Sequence, residues 1–294
     1  MKLQSLQSIS ATRSSGILHP LLRSFLYLTA YTLTMLALSA AALLPLSEHP
    51  VAANSALSGA ALAAILILTY LFRRFLDQRS LASLGLSRAR ALRRTARGLL
   101  IGGALISIPI APQIAAGNMV LGKSALDTAT LVWGTGIFVW LAFSAMSEEV
   151  VSRGYLLQNL SAGSTVPLGI LGSSSIFALL HLANPNVSLI AVVNIFLAGA
   201  FFCLYYLLEG TLWGPFGAHL AWNFAQGYIW GLPVSGITVF EQNSILNLEP
   251  QGPTWLTGGA FGPEGGFAVT LTLLAASALA LLALYRRARA SAES

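Results

Sequence analysis

Long stretches without a charged side chain dominate the pattern of polar and apolar positions along this chain. They cover residues 24–47, 50–72, 98–122, 128–147, 154–208, 210–240 and 265–285. A helix needs about 20 mainly apolar residues to cross the hydrocarbon core of a bilayer. The apolar runs are continuous rather than alternating, which argues against a transmembrane β-barrel. The pattern therefore predicts an all-α, polytopic membrane protein.

Turn-forming residues divide these stretches into about eight predicted transmembrane helices. The run 154–208 is too long for one crossing, and it contains Ser-Ala-Gly-Ser-Thr-Val-Pro at 161–167 and Asn-Pro-Asn at 184–186. The predicted spans are 25–44, 53–72, 98–116, 130–160, 168–183, 188–208, 212–231 and 267–285. The fourth is unusually long and the fifth is short. The loop 234–266, rich in Gly, Pro and Asn, is a candidate cap.

These spans form one predicted transmembrane domain, 25–285, between an N-terminal segment, 1–24, and a basic tail, 286–294. A cleaved signal peptide is an alternative interpretation of the first span. We favour a retained helix, because the apolar run is longer than the usual signal-peptide core of about 7–15 residues. Gly98 and Gly102, four positions apart, form a small-residue pattern that is typical of close helix packing.

The composition agrees with a lipid environment. Charged residues make up only 9% of the 294 residues, whereas soluble domains carry about a quarter. The net charge of +6 does not indicate nucleic-acid binding, because the basic residues lie in short segments beside apolar spans. Cys203 is the single cysteine, which excludes an intrachain disulfide and a multi-cysteine metal cluster.

The basic residues also predict an orientation. The N-terminal segment, the loop 73–97 and the tail 286–294 fall on one side of the membrane, and Lys123 is the one basic residue in the loops on the other side. The positive-inside rule places both termini in the cytoplasm. The predicted location is the inner (plasma) membrane, which the chain crosses several times. We interpret 73–97 as a solvated topology signal; an amphipathic surface helix on anionic lipid is the alternative.

Polar residues inside the spans are the exception, and they concentrate in one part of the chain. A charged side chain within a span costs about 2.5–3.5 kcal/mol on insertion scales, so each one needs a reason. The predicted exceptions are Glu148, Glu149, Arg153, His181, His219 and Asn223. We expect them to form a buried polar site between the fourth, fifth and seventh helices.

Their spacing supports this site. Glu149 and Arg153 are four residues apart, as are His219 and Asn223, so each pair lies on one helix face. Successive residues are rotated by about 100°, so Glu148 and Glu149 can line one wide cavity with different roles. We expect Arg153 to neutralise Glu149 and leave Glu148 free.

This set of residue types supports the attack of water on an amide. A carboxylate at a largely apolar, water-accessible depth suits a general base. Two imidazoles bind either a divalent metal or a water molecule, and an Asn amide donates to an oxyanion. The chain contains neither a His-Glu-x-x-His helix nor a Gly-x-Ser-x-Gly elbow.

Three motifs resemble those of a known family. They are Glu148-Glu149-Val-Val-Ser-Arg153, Phe177-Ala-Leu-Leu-His181 and His219-Leu-Ala-Trp-Asn223. The chain is similar here to the CPBP family of intramembrane proteases, also called the CAAX-protease-and-bacteriocin-processing or ABI family. The resemblance covers about 131–230, and it implies a catalytic core at about 130–232.

The resemblance also implies roles for these residues. Glu148 would activate water with help from His181, and His219 and Asn223 would stabilise the oxyanion. Glu149 and Arg153 would hold the first motif in shape. His181 and His219 would instead bind Zn²⁺ if a metal is used, and this choice stays open. The expected substrate is a peptide or membrane-associated protein.

Three other functions are compatible with the same residues. They can form a buried polar network that fixes helix packing, or belong to a non-catalytic binding or immunity protein on the same scaffold. A proton-coupled transporter is a further alternative, because intramembrane carboxylates and histidines relay protons. The oligomeric state stays open.

Overall fold

Helices make up nearly all of the regular structure in the computed structural model, which describes residues 4–42, 50–122 and 127–293. Residues 43 and 44 of the first predicted span and Lys123 lie outside these ranges. The helices are α1 (Gln4–Ser14), α2 (Pro20–Ala42), α3 (Pro50–Leu71), α4 (Ala91–Ala115), α5 (Thr128–Glu149), α6 (Leu157–Gly163), α7 (Val166–Leu180), α8 (Leu189–Glu209), α9 (Trp213–Phe224), α10 (Thr254–Thr257) and α11 (Phe267–Ala292).

Six helical segments are long and apolar enough to cross a membrane. They are Pro20–Ala40, Pro50–Leu76, Ala91–Ala115, Thr128–Gly163, Leu189–Glu209 and Phe267–Ala290. This confirms the prediction of an all-α polytopic membrane protein. The predicted number of eight spans is not confirmed, because α7 has 15 residues and α9 has 12.

Local sequence explains where the central helices begin and end. The side chain of Asp127 accepts a hydrogen bond from the backbone of Thr130 (2.8 Å) at the start of α5, and Ser188 caps α8 through Ala191. Such caps satisfy amide groups that have no partner within the helix. Helix α8 ends at Gly210, which has the left-handed conformation (φ +66°) that glycine adopts without strain.

Three helices continue into π-helical turns, which shift the direction of the side chains that follow. These turns are Phe72–Leu76 after α3, Val150–Leu156 after α5 and Ala225–Ile229 after α9. Helix α5, its π turn and α6 form one continuous segment of 36 residues, in agreement with the long fourth span. Its π turn begins directly after Glu149.

Helices α4 and α9 cross with their backbones in contact. A Cβ atom at Gly102 would lie 1.9 Å from the carbonyl oxygen of Ala218, and one at Gly98 would lie 2.2 Å from that of Gly214. No side chain fits at these two positions. The small-residue pattern at Gly98 and Gly102 is therefore a helix-packing site, as predicted.

Residues 232–266, which we call the cap, form an ordered structure between α9 and α11. Strand β1 (Met119–Leu121) pairs antiparallel with β2 (Leu248–Pro250), which attaches the cap to the end of α4. Within the cap, the backbone N–H of Gly236 donates to the carbonyl of Phe261 at 2.9 Å. The cap is therefore a folded element that is attached to the end of α4 and closed by its own backbone hydrogen bonds.

A group of buried charges, separate from the predicted site, lies near the N-terminal helices. Asp77 accepts hydrogen bonds from Arg23 at 2.8 Å and from Arg73 at 2.7 Å, and all three side chains are fully buried. Tyr155 and Asn159 also donate to Asp77, at 3.3 and 3.4 Å. Interpreting Arg73 as a solvated topology charge was wrong, because its buried guanidinium donates to Asp77, to Ser83 (2.6 Å) and to Gln158 of α6 (3.2 Å).

The N-terminal segment differs from the expectation as well. Residues 4–14 form α1, and α2 begins at Pro20, five residues before the predicted span. Arg23 therefore belongs to a helix, where its Nη2 donates to the carbonyl of Thr12 at 2.8 Å. This bond ties α1 to α2.

We expect Asp77→Asn to lower the free energy of unfolding by about 3–5 kcal/mol, because it leaves two buried guanidinium groups without a counter-charge. Thermal denaturation of the purified protein in detergent measures this loss. Glu293→Gln is the control, since Glu293 and Arg289 form an exposed pair and should contribute nothing measurable. Equal stability of the Asp77 and Glu293 variants would contradict the prediction.

Candidate active site

The structure brings the predicted site residues together around one cavity. Glu148 lies at the end of α5, His181 directly follows α7, and His219 and Asn223 lie in α9. Oε2 of Glu148 is 3.7 Å from Nε2 of His219 and 3.9 Å from Nε2 of His181. The predicted clustering of Glu148 with the two histidines is therefore present in the fold.

The two adjacent carboxylates have different surroundings. The side chain of Glu148 is 28% exposed and lines the cavity. Its buried Oε2 has no hydrogen-bond partner among the residues that the structure describes, and its Oε1 accepts a long hydrogen bond (3.4 Å) from Ser144. Glu149 is fully buried and is not part of the cavity wall. The expectation that both carboxylates line the cavity was wrong, because the rotation between neighbouring residues points Glu149 into the bundle.

Glu149 is held by two partners. Its Oε1 accepts from Nη1 of Arg153 at 2.9 Å and lies 3.0 Å from Nδ1 of His219. Arg153 and Glu149 are four residues apart; Glu149 is the last residue of α5 and Arg153 lies in the π turn that follows. The expected neutralisation of Glu149 by Arg153 is thus present.

The hydrogen bonds of the two histidines orient both rings. Nδ1 of His181 lies 2.7 Å from the carbonyl of Phe177, which can only accept, so Nδ1 of His181 carries a hydrogen. Nδ1 of His219 faces the carboxylate of Glu149, and the same argument applies to it. Both rings therefore present Nε2 toward Glu148. In a neutral ring this nitrogen accepts a hydrogen bond.

Aromatic rings complete the support of these polar groups. The guanidinium of Arg153 lies 4.5 Å from the ring centroid of Phe177 and 5.1 Å from that of Phe202. The ring of His219 stacks on Phe202, with centroids 5.2 Å apart. Sequence reasoning missed Phe202, because nothing distinguishes it within the apolar helix α8.

Helix α8 also contributes its backbone to the site. Nη2 of Arg153 donates to the carbonyl of Gly199 at 3.3 Å. A Cβ atom at Gly199 would lie 3.1 Å from Ser174, so a larger residue would push α8 away from α7. Gly199 therefore allows the close approach that brings its carbonyl to Arg153.

The cavity has a volume of about 270 Å³. Aromatic side chains of α5, α7, α8, α9 and the cap form much of its wall: Trp140, Phe177, Phe202, Trp222 and Phe240. Its polar lining includes the predicted Glu148, His181, His219 and Asn223. The cavity is thus a mainly apolar space with a few convergent polar groups, as is typical of ligand sites.

Sequence reasoning missed several other polar residues. Asn194 in α8 and Ser235 and Glu264 in the cap also line the cavity, and Gln158 and Asn159 are fully buried. The interpretation that buried polar residues are confined to the six candidates was therefore wrong. Asn194 was detectable, because it is an amide within an otherwise apolar predicted span.

The distances between Glu148 and the two histidines can be compared with those between the ligands of a zinc site. Zinc ligands at about 2.0–2.2 Å in tetrahedral geometry lie about 3.4 Å from one another. The separations of Glu148 from the two imidazoles, 3.7 and 3.9 Å, are longer. Among the described residues, no group of three or more His, Cys, Asp or Glu has the arrangement of a metal site. Glu148 and the two imidazoles are thus slightly farther apart in this structure than the ligands of an ideal tetrahedral zinc ion.

Comparison with known proteins gives one family match. Residues 128–225 match the family model described as type II CAAX prenyl endopeptidase Rce1-like. This segment is a third of the chain and contains all six predicted site residues; the cap and the first four helices lie outside it. The resemblance to this family is confirmed for that segment, and at the family level it supports an endopeptidase of the CAAX type. No curated protein and no solved structure matches the chain.

The surroundings of the two carboxylates predict opposite effects on stability. We expect Glu149→Gln to lower the free energy of unfolding by about 3–5 kcal/mol, because Arg153 then lacks its buried counter-charge. Glu148→Gln should leave stability unchanged or raise it, because it removes a charge whose Oε2 has no hydrogen-bond donor. Thermal denaturation in detergent compares the two variants with the wild type. A similar loss in both would contradict the division of roles.

Proposed function

We propose that this protein is an intramembrane endopeptidase that hydrolyses a peptide bond of a membrane-associated protein or peptide. One observation carries the proposal: the buried Oε2 of Glu148 faces Nε2 of two histidines inside a cavity, and no described residue donates a hydrogen bond to it. The match of residues 128–225 to a CAAX-type endopeptidase model supports it. Burying an unpaired carboxylate costs free energy, and a role in the reaction is a reason for the protein to retain it.

Glu148 acts as the general base in this mechanism. The 3.9 Å between its Oε2 and Nε2 of His181 is too long for a direct hydrogen bond, and it allows a water molecule to contact both groups. Glu148 removes one proton from that water, and the remaining O–H donates a hydrogen bond to Nε2 of His181. The water oxygen then attacks the carbonyl carbon of the scissile peptide bond.

The remaining groups serve the tetrahedral intermediate. The amide of Asn223 lines the same cavity and donates a hydrogen bond to the oxyanion whatever the protonation state of the site. His219 donates from Nε2 as well when its ring is protonated. Glu148 passes the proton to the nitrogen of the leaving peptide, and the C–N bond breaks. Glu149 and Arg153 position His219 and do not contact the substrate.

The proposal includes the location of the protein. Its apolar helices and its family match indicate a multi-pass membrane protein. We assign it to the inner (plasma) membrane with both termini in the cytoplasm, on the basis of the basic residues at 73–97 and 286–289.

We expect Glu148→Gln to abolish cleavage while the protein stays folded. N-terminal proteomics of cells that produce equal amounts of wild type or variant measures this directly and identifies the substrate. Glu249→Gln is the control, because Glu249 is an exposed carboxylate outside the cavity. Identical N-termini in wild type and the Glu148 variant would contradict the proposal. They would favour a non-catalytic binding or immunity protein, or a transporter.

The proposed mechanism activates water through Glu148 without a metal, so we expect cleavage by the purified protein to continue after treatment with a strong zinc chelator. A cleavage assay on the substrate identified by proteomics measures the initial rate before and after dialysis against the chelator. Loss of activity that added Zn²⁺ restores would contradict the metal-independent mechanism. It would assign His181 and His219 to a metal instead.

A further inference from the structure

The cap contributes a second carboxylate to the cavity wall. Glu264 lines the same cavity as Glu148 and lies beside Ser235, which is also in its wall. Among the described residues of the lining there is no lysine or arginine. With neutral histidines, the cavity therefore has a formal charge of −2 from Glu148 and Glu264.

Glu264 is held in one orientation. Its Oε2 accepts two hydrogen bonds from Ser235, from the backbone N–H at 2.6 Å and from Oγ at 2.8 Å. None of the described residues donates to Oε1 of Glu264, and none forms an ion pair with this carboxylate. Oε1 of Glu264 is thus an acceptor for a further partner.

The backbone around Glu264 is fixed as well. Nδ2 of Asn194 donates to the carbonyls of Glu264 at 2.8 Å and Gly266 at 2.9 Å. Oδ1 of Asn194 accepts from Thr270 at 2.7 Å. A Cβ atom at Gly262 would lie 2.0 Å from the carbonyl oxygen of Pro233, so the two halves of the cap are in direct backbone contact. Glu264 is therefore preorganised rather than placed on a loose loop.

The cavity wall strengthens the effect of this charge. Trp140, Trp222 and Phe240 surround the space with apolar surface, which lowers the local dielectric and strengthens Coulomb interactions. Aromatic faces also attract cations. A cationic group is favoured in this cavity, and a carboxylate from a substrate is repelled by both glutamates.

We propose that Glu264 is a specificity-determining residue that binds a lysine or arginine side chain of the substrate near the scissile bond. The proposal rests on the endopeptidase function and names its substrate class: an apolar peptide segment with a basic residue. Glu264 and Ser235 lie outside the segment that matches the family model. The preference is therefore a property of this chain's own cap.

Peptide binding tests the proposal without requiring cleavage. The probes are fluorescent apolar peptides, acetylated and amidated at their ends, that carry Lys, Gln or Glu at one position. The affinities of these peptides are measured in a neutral detergent for three proteins. They are the Glu148→Gln variant and two double variants, which combine Glu148→Gln with either Glu264→Gln or Glu249→Gln. The Glu264 change keeps a side-chain oxygen for Ser235, and Glu249 is the carboxylate control outside the cavity. A Gln peptide with a free α-amino group tests whether a chain terminus supplies the cation instead.

We expect the Lys peptide to bind about tenfold more tightly than the Gln peptide, as for a partly desolvated charge pair, and the Glu peptide to bind most weakly. The Glu264 change should remove this preference and the Glu249 change should keep it. Equal affinity for the Lys and Gln peptides, including no measurable binding of either, overturns the proposal. A preference for the Lys peptide that persists in the Glu264→Gln variant also overturns it. Tighter binding of only the Gln peptide with the free α-amino group overturns it as well. If Lys peptides bind selectively through Glu264 but the wild type never cleaves them, Glu264 remains the binding site for a basic side chain. That result would count against the endopeptidase function.

Discussion

The pairing of Glu149 with Arg153 inside the helix bundle is the interaction on which the site depends. An isolated charge in an apolar environment is too costly to persist, so each buried ion needs a partner. Arg153 supplies the counter-charge, and the rings of Phe177 and Phe202 hold its guanidinium. Because Glu149 also contacts His219, the same pair orients an imidazole toward the cavity. No lysine or arginine among the described residues pairs with Glu148, which suits this carboxylate to act as a general base.

The cap and the helices that carry the site are mechanically connected. Asn184, three residues after His181, donates to the carbonyl of Ser235 at 3.0 Å, and Asn194 anchors the other end of the cap. The loop after α7 therefore contacts the cap and also adjoins His181. A change in the cap would reach both the wall of the cavity and the position of this histidine. Substrate selection and catalysis are close neighbours in this fold.

The buried group around Asp77 has a different role. It joins Arg23 of α2, Arg73 after α3 and Tyr155 next to α6, far along the chain from one another. Apolar packing alone holds helices together only weakly in a bilayer. The hydrogen bonds to Asp77 add directional contacts between these three segments. The N-terminal helices are thus attached to the segment that carries the first motif. Tyr31 of α2 in turn contributes to the cavity wall.

The sequence by itself determined the class of the protein and most of the candidate site. Long uncharged runs predict membrane helices, because the length and polarity of one segment decide whether it can cross a bilayer. The i, i+4 spacing of Glu149 with Arg153 and of His219 with Asn223 predicts their shared helix faces, because helical periodicity is local. Only the tertiary structure decided which carboxylate is free, that Asp77 neutralises Arg73, and that Phe202, Asn194 and Glu264 belong to the site. These outcomes depend on π turns and on contacts between residues far apart in the chain, and no local pattern encodes which distant partner will meet a buried group.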